Sequence, residues 1–190
     1  TTSRGLGDVY KRQHLLNLLE QQPKLEELSE LLFQLGHEHE IDGEVLDMEI
    51  TPNRGDCLSL KGLARDLSYF YQAKELPKSD MEMPALDLQF DNKAQELCPN
   101  ISFMEIEIEK VPTKYKPYLE SYFADLGINK NNFFTDISNY LAYESGQPTH
   151  CFDQSAMKGH FALAKKQLKT KFKTLLDAEI PDTVKALAVT

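Results

Sequence analysis

The residue types best suited to chemistry fall in one short stretch. His150, with Asp153 three residues on, comes after Gly146-Gln147-Pro148-Thr149. An imidazole titrates near neutral pH, so it can hold a water or a hydroxyl and relay a proton. Cys151 is its neighbour, but adjacent residues on a turn rarely present both side chains to one substrate. No third group to orient the pair is evident, which argues against a cysteine–histidine nucleophile. The alternative for His150 is a buried structural ring bonded to a carbonyl. A second group, His37-Glu38-His39-Glu40, has a metal-like look, because side chains at i and i+2 of a strand point the same way. A zinc site needs more ligands at suitable spacing. None is near in sequence, so a solvated strand and no metal are expected. Arg54 and Arg65 are phosphate ligands on one reading. On an acidic chain, pairing with Asp56, Asp66 or a loop carbonyl is the expected one.

These residues need elements to position them. Ile137, Tyr140, Leu141 and Glu144 fall at i, i+3, i+4 and i+7, which predicts a helix with three apolar side chains on one face. Asp136 is expected to accept the free amide hydrogens of its first turn, Gly146 to end it in the left-handed conformation, and Pro148 to forbid continuation. A helix that stops this sharply aims His150. Upstream, Leu25, Leu28, Leu31, Leu32 and Leu35 form one stripe closed by Gly36. Alternation from Val45 to Ile50 predicts a half-buried strand. It runs into the turn-rich Thr51-Pro52-Asn53-Arg54-Gly55-Asp56-Cys57, with Asp56 as cap of a helix carrying Leu60, Leu63, Ala64 and Leu67. Gly62 inside that helix costs about 1 kcal/mol relative to alanine, which points to close backbone packing there. A second alternating strand is expected over 101–109, a helix over 115–126 ended by Gly127, and β structure at 161–164, 172–176 and 184–189. Lys158, Lys165, Lys166, Lys169, Lys171 and Lys173 suggest a solvated lysine face, or an RNA-facing patch.

The composition is that of an ordinary soluble globular protein, 41% hydrophobic and 27% charged, and the expected helices and strands make the fold class mixed α/β. No run nears the roughly 20 apolar residues of a membrane span. Three cysteines, scattered and unpaired by motif, argue for a reducing cytoplasm. Asp8-Val9-Tyr10-Lys11-Arg12-Gln13 reads like the translation of a transposon-end sequencing adaptor, so residues 1–13 are expected to be foreign or a disordered tail. They carry a net +2 of the chain's −9, leaving −11 on 14–190. So acidic a surface needs a local basic patch or a partner to bind nucleic acid. The pattern breaks from Glu75 to Asp91, with Pro77 and Pro84. The expected organisation is therefore an N-terminal α/β module over 14–76, a linker over 77–92 and a second α/β domain over 93–190. Both ends look cut from something longer.

Two stretches together resemble the β subunit of bacterial phenylalanyl-tRNA synthetase. One is Thr51-Pro52-Asn53-Arg54-Gly55-Asp56-Cys57-Leu58-Ser59 with Gly62-Leu63-Ala64-Arg65. The other is Asp136-Ile137-Ser138-Asn139-Tyr140 with Gly146-Gln147-Pro148, His150 and Phe152-Asp153. The resemblance covers most of 14–190. It implies a small N-terminal module and an incomplete editing domain, the part that in this family removes tyrosine misattached to the phenylalanine tRNA. A tRNA-binding barrel insert that typical members carry is replaced here by Ile41–Glu44. His150 matches the family's editing-pocket histidine, and Asn129 stands where the family places an arginine that would contact tRNA or the ester. The pocket acid and its small-residue floor fall outside 14–190, so this stretch alone is expected to hydrolyse nothing. The resemblance further implies an α subunit that binds ATP and Mg2+, a second β subunit, and tRNA reached through the whole enzyme. The alternatives are an editing-inactive assembly module and a free-standing deacylase, and the N-terminal module argues against the latter.

Overall fold

The protein is described by a computed structural model covering residues 9–74, 86–157, 161–167, 172–173, 179–180 and 185–189. The fold is mixed α/β, in two compact units: 1–79 with 110–151, and 80–109 with 152–190.

In the first unit, β1 (Val9–Lys11), β2 (Glu38–Asp42) and β3 (Val45–Glu49) form an antiparallel sheet with β3 in the centre. The alternation expected at 45–50 is present, with Leu46 and Met48 buried. Asp42 pairs with Val45 across a two-residue turn containing Gly43 at φ 61°, so β2 and β3 close as a tight hairpin with no room for an insert. Two helices of this unit are α1 (Arg12–Leu16) and α2 (Leu25–Gln34). The leucine stripe forms α2, burying Leu28, Leu31 and Leu32, and Gly36 at φ 85° ends it. A third, α3 (Leu60–Leu67), comes after the sheet. Both alternatives for residues 1–13 placed them outside the fold, but 9–13 are part of it. Tyr10 is fully buried, donates to the Cys57 carbonyl (3.3 Å) and stacks on Tyr143. Residues 1–8 lie outside the described set.

The remaining helices of this unit are α4 (Pro117–Asp125) and α5 (Phe133–Ser145). Leu119, Tyr122, Phe123 and Tyr143 share one core with Leu15, Leu16, Leu46, Leu63 and Leu67. At roughly 1.5–3 kcal/mol per buried large side chain, those four hold 110–151 to the N-terminal segment by several kcal/mol. The first crossing between units, at 79/80, falls inside the break expected at 77–92, but 110–151 returns to the first unit, so the second unit is not the continuous 93–190. His14 lies in the same seam, with Nδ1 3.0 Å from the Tyr143 hydroxyl and Nε2 3.4 Å from Asp125, which also pairs with Lys11. Burial lowers the His14 pKa, and the Asp125 carboxylate only partly reverses this. The unfolded chain thus takes up the proton first, and stability falls as pH drops from about 6.5 toward the folded value. Asp125 and Asp66 are themselves held below the usual carboxylate range, so their contribution is lost only in stronger acid. Urea midpoints should be lower near pH 5.5 than near pH 7.5, and His14→Gln should narrow that gap.

In the second unit, β4 (Phe90–Asn92) runs parallel to β5 (Phe161–Gln167), and β8 (Lys185–Val189) pairs antiparallel on the other side of β5. A two-stranded piece, β6 (Phe172–Lys173) with β7 (Glu179–Ile180), accompanies them. The strand expected at 101–109 does not form. Phe103 packs with Phe90 and Phe161, while Met104 and Ile106 are exposed, so one anchored aromatic uses the alternating pattern and no ladder partner is present among the described residues. Of the expected lysine face, Lys165 is exposed in β5. Lys158, Lys169 and Lys171 lie outside the described residues.

Candidate functional site

Helix α5 is built differently at its N-terminal end from what its sequence suggests. Its N-cap is Asn132, whose side-chain oxygen accepts from the Thr135 amide (3.1 Å). Asp136, the expected cap, is fully buried instead. Its carboxylate accepts from the Tyr115 hydroxyl (2.6 Å) and the Asn131 amide (2.9 Å). Burial and this carboxylate push the Tyr115 phenol up to about 12. The C-terminus matches expectation: Gly146 adopts φ 73° and donates to the Ala142 carbonyl (2.8 Å). The face that carries the three apolar side chains is half open. Ile137, Tyr140, Leu141 and Glu144 line a groove of about 460 Å³ with Tyr118, and the buried side chains of α5 are Asp136 and Tyr143.

The Thr51–Ser59 segment supplies the seat for the C-terminal end of this helix. Pro52–Cys57 winds into a 3-10 turn, and Ser59, not Asp56, caps α3, its hydroxyl accepting from the Gly62 amide (3.0 Å). Asp56 is taken by Arg54 (3.1 Å) and Arg65. The Arg54 hydrogen bonds hold its carboxyl down to about 2 against the opposing effect of desolvation. Arg54 also reaches Asp66 (2.5 Å) and the Cys57 sulfur (2.8 Å), so both arginines are paired as expected. A Cβ on Gly62 would lie 1.9 Å from the Asp56 carbonyl oxygen, which explains the glycine. A Cβ on Gly146 would lie 3.2 Å from Ser59 Cβ, and Lys61 pairs with Glu144 (3.5 Å). The end of α5 thus rests on the start of α3, and the two sequence motifs meet. Gly146→Ala combines a disfavoured positive φ with that contact. It should cost about 1–2 kcal/mol in chemical denaturation.

Beyond Gly146 the chain turns back along α5. The Cys151 sulfur lies 3.9 Å from the Ser138 hydroxyl, two turns before the helix ends. His150 is exposed on this returning segment, so the buried structural ring is not what the structure shows. Ser138 is about 8 Å along the axis from Phe133, the first residue of α5. Asn129 is exposed in the loop entering that end of the helix. Neither His150 nor Asn129 lines the groove on Tyr118 or the smaller polar pocket around Tyr115 and Asp136. Asp153 caps a short turn, accepting from the Ser155 amide (2.9 Å) and hydroxyl (2.6 Å).

Residues 104–187 match the B3/4 domain family. The chain is 35% identical to the phenylalanine–tRNA ligase beta subunit of Aquifex aeolicus over 159 residues, covering 77% of this chain and 20% of that protein. It is 34% identical to the beta subunit of Thermotoga maritima over 133 residues (68% and 17%) and 34% to that of Rickettsia bellii over 127 (63% and 14%). The chain belongs to the phenylalanine–tRNA ligase beta-subunit family. It spans about a fifth or less of the length of these relatives. Within that family frame, the sequence signals missed two things. One was the Ser59–Gly146 contact, whose only local trace is a glycine after a capping serine far upstream. The other was the burial of the two histidines at 37 and 39. His37 is 2% exposed and bonds Asp66 (3.0 Å), and His39 bonds Ser29 (2.8 Å), so neither lies on a solvated face. Among the described residues, no helix is long and apolar enough to cross a membrane.

Proposed function

We propose that the chain is part of a cytoplasmic phenylalanine–tRNA ligase beta subunit and that, in the full-length subunit, its B3/4 region contributes to hydrolysis of tyrosine mischarged onto the phenylalanine tRNA. The observation that carries this reading is the exposed His150, returned along α5 from a helix end that Gly146 fixes against Ser59. Ester hydrolysis requires a water aimed at a carbonyl and a group to manage its proton while an oxyanion develops. An exposed imidazole on a fixed return can orient that water or a ribose hydroxyl. Phenylalanine is rejected if the pocket pairs a phenolic hydroxyl, since the unhydroxylated ring leaves those groups unsatisfied. Phenylalanine attachment itself belongs to an α subunit using ATP and Mg2+, with a second beta subunit completing the assembly and tRNA bound by the whole enzyme.

A second reading, an editing-inactive assembly module, is favoured by Asn129, which leaves the loop entering α5 without the arginine charge. Tyrosyl-tRNA deacylation by the full-length subunit in its holoenzyme distinguishes the two. His150→Ala should lower that rate at least tenfold with phenylalanine attachment unchanged. An unmutated enzyme that hydrolyses no tyrosyl-tRNA establishes the assembly reading, and an unchanged rate in the variant removes His150 from the mechanism.

A further inference from the structure

His37, Cys57 and Asp66 come from three separate elements: the approach to β2, the 3-10 turn and α3. Their ligand atoms all lie within 4.8 Å of one another, and His37 and Cys57 are buried. The Cys57 sulfur is 3.6 Å from Asp66 Oδ2 and 3.6 Å from Asp56 Oδ2. A tetrahedral zinc with a thiolate at about 2.3 Å and a carboxylate near 2.1 Å sets its sulfur and oxygen about 3.6 Å apart, so both separations already fit. The His37 Nε2 to Asp66 Oδ2 distance, 3.0 Å, is shorter than the roughly 3.4 Å edge such a site needs. That gap opens by a small side-chain rotation. The centre of the cluster is already a cation position: one Arg54 nitrogen lies 2.5 Å from Asp66 and 2.8 Å from the Cys57 sulfur.

We propose that His37, Cys57, Asp66 and Asp56 form a binding site for a zinc-class divalent cation, which enters by displacing the Arg54 guanidinium. The donor set of imidazole, thiolate and two carboxylates suits zinc and cobalt over magnesium or calcium. Arg54 and Asp56 are the partly exposed members, with 31% and 40% of their side chains accessible, so they form the entry side while His37 and Cys57 close the interior. Arg54 moves outward and keeps its Nε contact to Asp56 Oδ1 (3.1 Å), and Arg65 gives up the Asp56 Oδ2 that it holds in the metal-free state. Protons balance: the divalent cation enters, one thiol proton leaves Cys57 to solvent, and the His37 proton that Nε2 shares with Asp66 moves to Nδ1, so that the neutral ring binds through Nε2. An unliganded thiol is protonated near neutral pH, so the proton is present to be released. Affinity should rise about tenfold per pH unit as long as a single proton is released.

The test uses the 190-residue chain, stripped of metal by a chelator and titrated with Co2+ and then Zn2+. A sulfur-to-cobalt charge-transfer band with tetrahedral d–d bands should saturate at one cobalt per chain and bleach on adding zinc. Cys57→Ser should abolish the band, whereas Cys98→Ser and Cys151→Ser should keep it. Arg54→Ala, which removes the competing cation, should tighten binding at least tenfold. If Cys57→Ser fails to fold, mass spectrometry of the unmutated chain decides: zinc should slow alkylation of Cys57 and leave Cys98 and Cys151 unaffected. No charge-transfer band in the unmutated chain, a band that persists in folded Cys57→Ser, binding seen only in Arg54→Ala, or alkylation of Cys57 unchanged by zinc would each overturn the proposal.

Discussion

Gly62→Ala should destabilise the first unit by about 3 kcal/mol or more, although helix propensity alone argues for a gain of about 1 kcal/mol. The added Cβ would sit 1.9 Å from the Asp56 carbonyl oxygen, 2.9 Å from its carbonyl carbon and 3.0 Å from Cys57 Cα. All three are backbone atoms, so no flexible side chain can yield. The 3-10 turn must lift off the start of α3 by roughly 1 Å or more, beyond what ordinary overpacking tolerates at a cost of about 1–3 kcal/mol. Lifting it separates Arg54 and Cys57 from Asp66 and loosens the seat that Ser59 gives to Gly146. The steric term therefore outweighs the propensity term. Gly55→Ala is the matched control, because nothing lies within 4 Å of its added Cβ. It should shift the urea midpoint by no more than about 0.5 kcal/mol in equivalent stability. Equal effects from the two substitutions would show that the turn does not rest on α3 as described.

What the sequence displayed well was local. Gly36, Gly127 and Gly146 all take the positive φ that a helix stop uses, and the alternation at 45–49 became a strand with Leu46 and Met48 inside. Those features depend on a few neighbouring residues. The choice between Asp56 and Ser59 as the cap of α3 depended on something else. Both side chains suit the role, and the decision came from Arg54 and Arg65 drawing Asp56 away. The same holds for His37, whose partners Asp66 and Cys57 lie far along the chain and were brought to it by the packing of α3 under the 3-10 turn. The extent of the units was hidden for a related reason. A proline-containing break after residue 74 reads as a boundary, but the aromatic residues of α4 and α5 found their core with the N-terminal leucines. At the candidate site, the residue type and its helix were legible. The return of the chain to Ser138, which decides where His150 stands, was not.

Asp136 is a second position where one distant partnership carries a large share of local stability. Asp136→Ala should cost about 2–4 kcal/mol, because it deletes a fully buried carboxylate and the two bonds it accepts. The Tyr115 hydroxyl and Asn131 amide lose their acceptor, and a hydrogen bond to a charged group is worth about 1.5–3 kcal/mol before any cavity is counted. Tyr115→Phe removes one bond and leaves the other, so it should cost less, about 1–2 kcal/mol. If the two act through each other, the double variant should fall short of the sum by about 1 kcal/mol or more, and full additivity would show that the pair is not coupled. The effect should also be directional. Asn131 belongs to the loop that carries Asn129 into α5, and Lys130 over the Tyr115 ring, paired with Glu120 (2.7 Å), holds the same loop. Amide exchange should therefore quicken over 128–132 in Asp136→Ala before it quickens in α3. Exchange that rises uniformly would place Asp136 in the general core and not at the anchor of this loop.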